Sequence, residues 1–282
     1  MGAGLGHDRY GKSGIRVATV RRHDDRHDFS DWTVDVRLEG DFLAAHVDGD
    51  NTEILPTDTM RGATYALAKE HSGVEIEEFG LLLTEYLLGA APAATLAEVS
   101  IEEQPWERIE AGGEPHSHAF TRAAYRRTAR VTRTREDADV SAGVADLVLL
   151  KTTDSAFRGF IKDRYTTLPE TDDRILATSM TAEWRYERTG LDYRKVADEA
   201  RRIAMETFAR HDSKSMQHTL YAMGEAVLEG CPNVAEIRFM LPNLHHIEVD
   251  LSPYGMENHG EVFVATDRPF GLIEGTVVRR TS

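Results

Sequence analysis

One order of elements occurs twice in this chain, and it limits the folds that the chain can adopt. In each half, two segments of alternating apolar and polar residues precede two helical patterns, and further strand-like segments follow. In the first half these are 14–23, 31–42, a helix that starts near 58, 75–89, 96–106, 116–123 and 125–136. In the second half they are 144–153, 175–187, 192–210, 215–229, 234–241, 246–252 and 260–267. The repeated order predicts an internal duplication.

A short sequence echo supports the duplication. LAEVSI at 96–101 and VAEIRF at 234–239 each follow the second helix of their half, and a proline soon follows each. Hairpin strands with helices between them form antiparallel sheets that helices cover on one face. We therefore predict an α+β chain of two units, 1–138 and 139–282, whose bare sheet faces are buried by self-association. Residues 43–59 are predicted to start as a short strand and to continue as a loop.

The charge balance argues against several kinds of partner. The chain has 33 Lys and Arg against 48 Asp and Glu, which is a formal net charge of −15. A surface this acidic repels nucleic acids and anionic membrane surfaces, so neither is expected as a partner. An anionic substrate would need Lys and Arg side chains placed locally around it.

The cysteine count and the hydropathy pattern bear on the compartment. Cys231 is the single cysteine, so it excludes an intrachain disulfide and a cysteine-rich metal site, and it is expected to be a small, at least partly buried residue. No apolar run approaches the roughly 20 residues of a membrane-spanning helix, and residues 1–14 have no apolar signal core. We therefore expect a soluble protein that stays in the cytoplasm.

The segment FMLPNLHHIEVDLS at 239–252 places an amide and two imidazoles between two strand patterns. In an extended chain Asn243 and His245 point to one side and His246 to the other. One interpretation is a loop with a capping asparagine and partly exposed histidines. The other is a polar pair that faces a site, where the amide donates a hydrogen bond and the imidazole relays a proton.

The segment KTTDSAFRGFIKDRYTTLPETDDRILATS at 151–179 is long, irregular and polar. Ordered loops of this length often carry function. Phe157 offers a flat apolar surface, and Arg174 offers a fork of donors for a planar anion. The structural alternatives are core packing for Phe157 and a surface ion pair with Asp172 or Asp173 for Arg174.

A metal site is a further possibility. His116 and His118 share one face of a predicted strand, and His245, His246 and His259 could join them. No carboxylate or cysteine stands at a diagnostic offset, and no HExxH sequence occurs. We therefore predict no metal ligands.

Several separate blocks together resemble the urate oxidase (uricase) family in the family's order. They are RYGKSGIRV at 9–17, PTDTMRGATYALAKEH at 56–71, HSHAFTR at 116–122, the whole 151–179 segment, SMQHTLYAMGEAVL at 215–228 and LPNLHHIEVDLS at 241–252. The resemblance covers nearly the whole chain. It implies two tandem tunnelling-fold (T-fold) units in each chain and a barrel-like homotetramer with active sites at subunit interfaces. It also implies oxidation of urate by O2 and water to 5-hydroxyisourate and hydrogen peroxide, without a metal or an organic cofactor.

The resemblance assigns roles in substrate binding. Arg174 and Gln217 match the pair that grips urate along its edge. Phe157 matches the ring that stacks on urate, and Met216 matches a backbone N–H donor. The family often has a branched aliphatic residue at the position of Met216, a mild departure because the backbone makes the contact.

The resemblance also assigns roles in the chemistry. Thr57 and Asp58 match positions that the neighbouring subunit contributes to urate binding, through a hydroxyl and a backbone N–H. Lys12 matches the lysine that handles protons together with Thr57, and His245 matches the histidine that continues this relay. Asn243 matches the residue that, with Thr57, holds water or O2 above the urate plane.

Two other hypotheses are weighed against urate oxidase. The T-fold also hosts zinc- or pterin-handling enzymes, which would need a metal held by His116, His118 or the pair at 245–246. A catalytically silent purine-binding relative would keep the binding residues but lack the Lys12–Thr57 pair, and both residues are present.

Overall fold

The computed structural model describes residues 3–280, which form two compact units. Unit 1 contains the described residues up to Gly143 together with Arg185–Lys195. Unit 2 contains Val144–Trp184 and the described residues from Val196 onward. The division between 138 and 139 stays a prediction.

Unit 1 is an antiparallel sheet with helices between its second and third strands. Its strands are β1 Tyr10–Arg22, β2 His27–Gly40, β3 Ala94–Glu103, β4 Trp106–Ala111, β5 Glu114–Arg122 and β6 Arg126–Thr134, and its helices are α1 Leu43–Val47, α2 Thr57–Glu70 and α3 Ile76–Ala90. The order of strands in the sheet is β1-β2-β3-β6, and each neighbouring pair is antiparallel. Strands β4 and β5 form a separate hairpin.

The core of unit 1 follows from the alternation along β2. Trp32, Val34, Val36 and Leu38 are buried at every second position, as expected for a strand with one face against helices. Helix α3 packs on this sheet at Gly80, where an added Cβ would lie 2.6 Å from Val131 Cγ2. The glycine is therefore needed for the close approach of helix and sheet.

Arg127 of β6 is a buried charged residue. Its guanidinium lies 2.6 Å from Glu103, 3.0 Å from Glu75 and 3.6 Å from Glu77, all as N–O distances. Arg194 also pairs with Glu75, at 3.0 Å. Three carboxyl groups thus lie close to two guanidinium groups. If all three were ionised, one negative charge would be in excess.

Burial raises the pKa of Glu77, and the nearby Arg127 opposes that rise only in part. The folded state therefore keeps the Glu77 proton to higher pH than the unfolded chain. Its stabilising contribution is present at low pH and is lost as pH rises through the folded-state pKa. We expect Glu77→Gln to gain stability relative to the native chain as pH rises, by up to about 1.4 kcal/mol per pH unit.

The measurement is the free energy of unfolding of both proteins between pH 5 and pH 9. Glu78→Gln is the matched control because it removes an exposed carboxylate from the next position of the same helix. A constant difference between Glu77→Gln and the native chain across this range would show that Glu77 keeps no proton in the fold.

Unit 2 repeats the plan of unit 1. Its strands are β7 Ala138–Lys151, which begins in unit 1, β8 Leu176–Tyr186, β9 Val234–Pro242, β10 His245–Glu248, β11 Phe263–Thr266 and β12 Leu272–Val278, and its helices are α4 Tyr193–Arg210 and α5 Met216–Gly230. A short 3₁₀ helix covers Ser252–Tyr254. The order of strands in the sheet is β7-β8-β9-β12, and β10 and β11 form a separate hairpin.

The two units share an insertion as well as a core plan. A hairpin stands between the third and fourth sheet strands of each, β4–β5 in unit 1 and β10–β11 in unit 2. The echoed segments LAEVSI and VAEIRF lie in β3 and β9, the third sheet strand of each unit. The internal duplication is therefore visible in the element order as well as in the sequence.

Several predicted elements were wrong. Residues 43–47 form helix α1 instead of a strand, because Ala44 and Ala45 favour a helix and Asp48 N–H bonds Ala44 O at 2.9 Å. The predicted strand 96–106 ends at Glu103, and β4 begins after Pro105, which lacks an N–H donor. The predicted strand 246–252 ends at Glu248. The fourth sheet strand of unit 2 is β12, which was not predicted.

No helix within residues 3–280 is long and apolar enough to cross a membrane.

Candidate active site

Unit 2 contains a cavity of about 500 Å³. The loop between β7 and β8, the segment from 243 to 248 and the region around 259–263 line it. Four of the predicted site residues contribute to the lining: Phe157, Arg174, Asn243 and His245. Residues 86 positions apart in the chain, Phe157 and Asn243, thus meet at one cavity.

Hydrogen bonds fix Phe157 within the long loop. Its backbone N–H donates to Thr171 O at 2.9 Å, and Thr171 N–H donates to Phe157 O at 3.1 Å. The ring of Phe160 stacks on that of Phe157, with centroids 4.8 Å apart and planes at 16°. Phe160 is not among the cavity-lining residues of the described chain, so it supports the ring from outside the cavity.

The Arg174 guanidinium lies over this ring, and no carboxylate of residues 3–280 pairs with it. Its Cζ lies 5.0 Å from the centroid of the Phe157 ring. Its Nε is buried and has no hydrogen-bond partner among residues 3–280. Asp172 pairs instead with Arg158, and Asp173 accepts hydrogen bonds from Thr153 and from backbone N–H groups. The surface ion pair considered for Arg174 is therefore not formed.

The charge of Arg174 is left available for a ligand. Burial lowers the pKa of the guanidinium, but an arginine stays protonated at any physiological pH. The guanidinium donors could serve a planar anion in this cavity. The roles of Phe157 and Arg174 in binding a flat, negatively charged substrate stay a prediction.

The amino-terminal end of α5 carries Met216 and Gln217. Ser215 caps the helix by accepting a hydrogen bond from His218 N–H at 3.1 Å. Met216 is buried and Gln217 is exposed, and neither is among the residues described as lining the cavity. The segment before the helix is joined to that of Phe157, since Ala156 N–H donates to Ser213 O at 2.8 Å and Ser213 N–H donates to Asp154 O at 2.9 Å.

Asn243 and His245 are placed by backbone bonds to neighbouring strands. Asn243 N–H donates to Gly271 O at 2.8 Å, and His245 begins β10, opposite Thr266. His246 also lines the cavity, as does every residue from 243 to 248, and the expectation that its side chain points away from that of His245 stays a prediction. The link between β9 and β10 is irregular at 243–244, where Leu244 N–H donates to Ala177 O at 2.9 Å.

Lys12, Thr57 and Asp58 lie in unit 1. Lys12 stands at an irregularity of β1, where the pairing with β2 shifts before Ile15. The hydroxyl of Tyr10, on the same face of β1 as Lys12, accepts a hydrogen bond from Leu55 N–H at 2.9 Å. This bond ties the start of β1 to the segment that leads into Thr57.

Thr57 is the first residue of α2 and not its cap. The N-cap residue is Pro56, and its side chain makes no capping hydrogen bond. The first N–H groups of a helix have no partner within the helix, so those of Thr57 and Asp58 can serve an anion. The Asp58 carboxylate lies 2.6 Å from Arg61 on the next turn, which orients it along the helix.

The histidines considered for a metal site belong to different units. His116 and His118 lie on β5 of unit 1, with ring centroids 4.5 Å apart. His245, His246 and His259 line the cavity of unit 2. Within residues 3–280, no three His, Cys, Asp or Glu side chains are grouped as they would be to hold a metal ion.

Several cavity residues escaped the sequence analysis as site residues, and Leu168 and Asp173 are two of them. Leu168 lines the cavity near the end of the long loop, and Asp173 lines it beside Arg174. Leu168 is a single apolar residue in a polar stretch, and no periodicity marks such a residue. Asp173 was considered only as an ion-pair partner, whereas its actual partners lie about 20 residues earlier in the chain.

The comparisons with known proteins agree on one family. A family model for uricases matches residues 8–132 and 140–274. The chain is 41% identical to the uricase of Arthrobacter globiformis over 279 residues, which is 99% of this chain and 91% of the relative. It is 36% identical to the uricase of Dictyostelium discoideum, covering 98% and 97% of the two chains. The crystal structure of the Arthrobacter globiformis uricase matches with a TM-score of 0.95 at 40% identity, over 100% of this chain and 97% of that one.

The fold defines an α+β protein of two units built on antiparallel strands. The chain belongs to the uricase family. The family resemblance and the predicted fold class, two tandem T-fold units, are confirmed. The alternative of a zinc- or pterin-handling enzyme is not favoured.

Proposed function

We propose that this chain, a urate oxidase by family, converts urate, O2 and water to 5-hydroxyisourate and hydrogen peroxide at the cavity of unit 2. The observation that carries this proposal is the position of the Arg174 guanidinium over the Phe157 ring, with no carboxylate among residues 3–280 to neutralise it. An apolar ring and an unpaired planar cation side by side suit a flat anionic purine. They also reconcile an anionic substrate with a chain of net charge −15.

Substrate binding uses both the face and the edge of urate. Phe157 covers one face and leaves the other open to O2. Arg174 and Gln217 donate to the edge, where nitrogen and oxygen atoms alternate. The backbone N–H groups of Met216 and of the neighbouring subunit's Asp58 add further donors. Both groups lie in the first turn of a helix, where the N–H groups lack helical partners.

The chemistry requires that urate lose a second proton and pass two electrons to O2. Lys12 and Thr57 act together to handle the proton, and His245 continues the relay. Asn243 and Thr57 hold water or O2 above the open face of the ring. The two electrons and two protons that leave the substrate and water end in hydrogen peroxide, so the reaction balances without a metal or an organic cofactor.

The active site is proposed to be shared between subunits of a homotetramer. Strand β7 presents Val148 and Leu150 on one face, and these side chains are 62% and 49% exposed. Apolar side chains that alternate along an exposed strand favour burial against another subunit. Lys12, Thr57 and Asp58 would then complete the cavity of a neighbouring chain. We propose the cytoplasm as the compartment, where a chain with a single cysteine needs no disulfide.

Mixed oligomers of two impaired chains test the shared site. Lys12→Ala and Arg174→Ala chains carry different affinity tags, are produced together, and are purified through both tags. If each site takes Lys12 from one subunit and Arg174 from another, random assembly gives about a quarter of the sites both native residues. At urate concentrations below the native KM, where both parent variants are nearly inactive, urate oxidation should therefore return to about a quarter of the native rate.

The controls are the two homo-oligomers, each carrying both tags. Activity of the mixed oligomer no greater than the average of these controls would contradict a site shared between subunits. Activity well above that average would support both the reaction and the assignment of Lys12 and Arg174 to different chains.

A further inference from the structure

The carboxylate of Asp173 joins two parts of the long loop. Thr153 Oγ1 donates to Asp173 Oδ2 at 2.6 Å, and Ser155 N–H donates to Oδ1 at 3.1 Å. Arg174 N–H also donates to Oδ1, at 3.1 Å. The first part of the loop leads to Phe157 and the second leads to Arg174. The Asp173 side chain therefore links the two segments that carry these cavity residues.

Backbone bonds complete this junction. The paired bonds between Phe157 and Thr171 lie just beyond the contacts of Asp173. Thr171 Oγ1 donates to Asp173 O at 2.6 Å, which holds the turn that leads into Arg174. Arg158 also joins these two parts of the loop at the surface, through Asp172 and Glu170.

We propose that Asp173 is a positioning residue that holds Phe157 and Arg174 in their ligand-binding arrangement through Thr153 and Ser155, rather than by pairing with the Arg174 guanidinium. The proposal rests on the function proposed above for the cavity. It extends that function to a residue that does not itself need to touch the substrate.

The charge of Asp173 suits this role. Its hydrogen bond from Thr153 is the main cause of a lowered pKa, so the carboxylate is ionised at neutral pH and is a strong acceptor. An aspartate that paired with Arg174 would cancel the charge that binds an anion. Asp173 instead satisfies its oxygens with a hydroxyl and two backbone N–H groups, which leaves the guanidinium charge uncompensated.

Asp172 provides a contrast at the next position. Its side chain is 80% exposed and pairs with Arg158 on the same loop. Asp172 has the same charge as Asp173 and precedes it directly in the sequence. Its partner Arg158 comes after Phe157, and among the interactions described for residues 3–280 Asp172 makes no bond to residues 153–156, which lead to Phe157. Asp172→Ala is therefore the matched control for Asp173→Ala.

Hydrogen exchange of the intact oligomer tests the junction directly. We expect Asp173→Ala to speed amide exchange about tenfold in peptides that cover 155–160 and 168–175, because the Phe157–Thr171 pair loses its support. Exchange in α5 should stay as in the native protein, which shows that the variant is folded. Asp173→Asn, which keeps an acceptor oxygen, should fall between the native protein and Asp173→Ala, and Asp172→Ala should match the native protein.

Urate kinetics supply the second readout. Asp173→Ala should raise the KM for urate about tenfold and change kcat less, and Asp173→Asn should recover part of the loss. Exchange as slow as in the native protein, or faster exchange with an unchanged KM, would overturn the proposal. If the native protein did not oxidise urate, the proposed function would fail, and the exchange comparison would still decide whether Asp173 holds the loop.

Discussion

Replacing Lys12 by alanine is expected to lower the turnover of urate about a hundredfold while urate still binds. The expectation follows from the proposed role of the amine, which accepts and passes on a proton but contributes little to holding the ring. The bond between Tyr10 and Leu55 keeps the start of β1 next to the segment that carries Thr57, so the two groups can work as a pair. The measurements are kcat in air and the Kd of urate without oxygen, where the substrate binds but cannot react.

Lys69→Ala is the control for this experiment. Lys69 lies in the last turn of α2, so its replacement removes a lysine from unit 1 without touching the start of β1. Thr57→Ala should reproduce the loss seen with Lys12→Ala. A Lys12→Ala protein with a kcat within about twofold of the native value would remove Lys12 from the chemical step.

Replacing Arg174 by alanine should act mainly on binding. Loss of charge-assisted hydrogen bonds to an anion costs about 3 kcal/mol, which corresponds to a rise of about a hundredfold in the KM for urate. The value of kcat at saturating urate should fall much less. Arg174→Lys should recover only part of the binding, because an ammonium group cannot donate two parallel hydrogen bonds to a planar edge.

Arg158→Ala is the matched control, since Arg158 lies on the same loop and is occupied by Asp172 and Glu170 at the surface. It should leave KM close to the native value. An Arg174→Ala protein with an unchanged KM for urate would contradict the proposed role of Arg174 in binding the substrate.

Much of the core could be predicted because its signals are local. The alternation of β2 and the apolar stripes of α3 and α5 repeat over 14 or 15 residues each. Strand β12 could not be predicted in this way. It has seven residues with Gly275 at its centre, and glycine weakens a strand pattern. Its place depends on α5, where a Cβ added at Gly224 would lie 2.4 Å from Val277 Cγ2.

In the site, too, some features follow from local residue types, whereas others depend on contacts between residues that are far apart in the chain. The residue types at Phe157 and Arg174 offered a planar anion as one interpretation before any fold was known, with core packing and a surface ion pair as the alternatives. The burial of Arg127 could not be inferred, since it depends on carboxylates up to 52 residues away. The role proposed for Asp173 likewise depends on Thr153, which lies 20 residues earlier. Motifs identify the reacting groups, and long-range hydrogen bonds decide how they are held.

The ultraviolet absorbance of urate, followed in air with purified protein and excess chelator, tests the central claim most directly. We predict loss of the urate band at the same rate with and without chelator, with one hydrogen peroxide formed for each urate consumed. Loss that stops with chelator and returns on addition of zinc or copper would contradict a reaction that needs no metal. A urate band that persists under every condition would contradict urate oxidation by this chain.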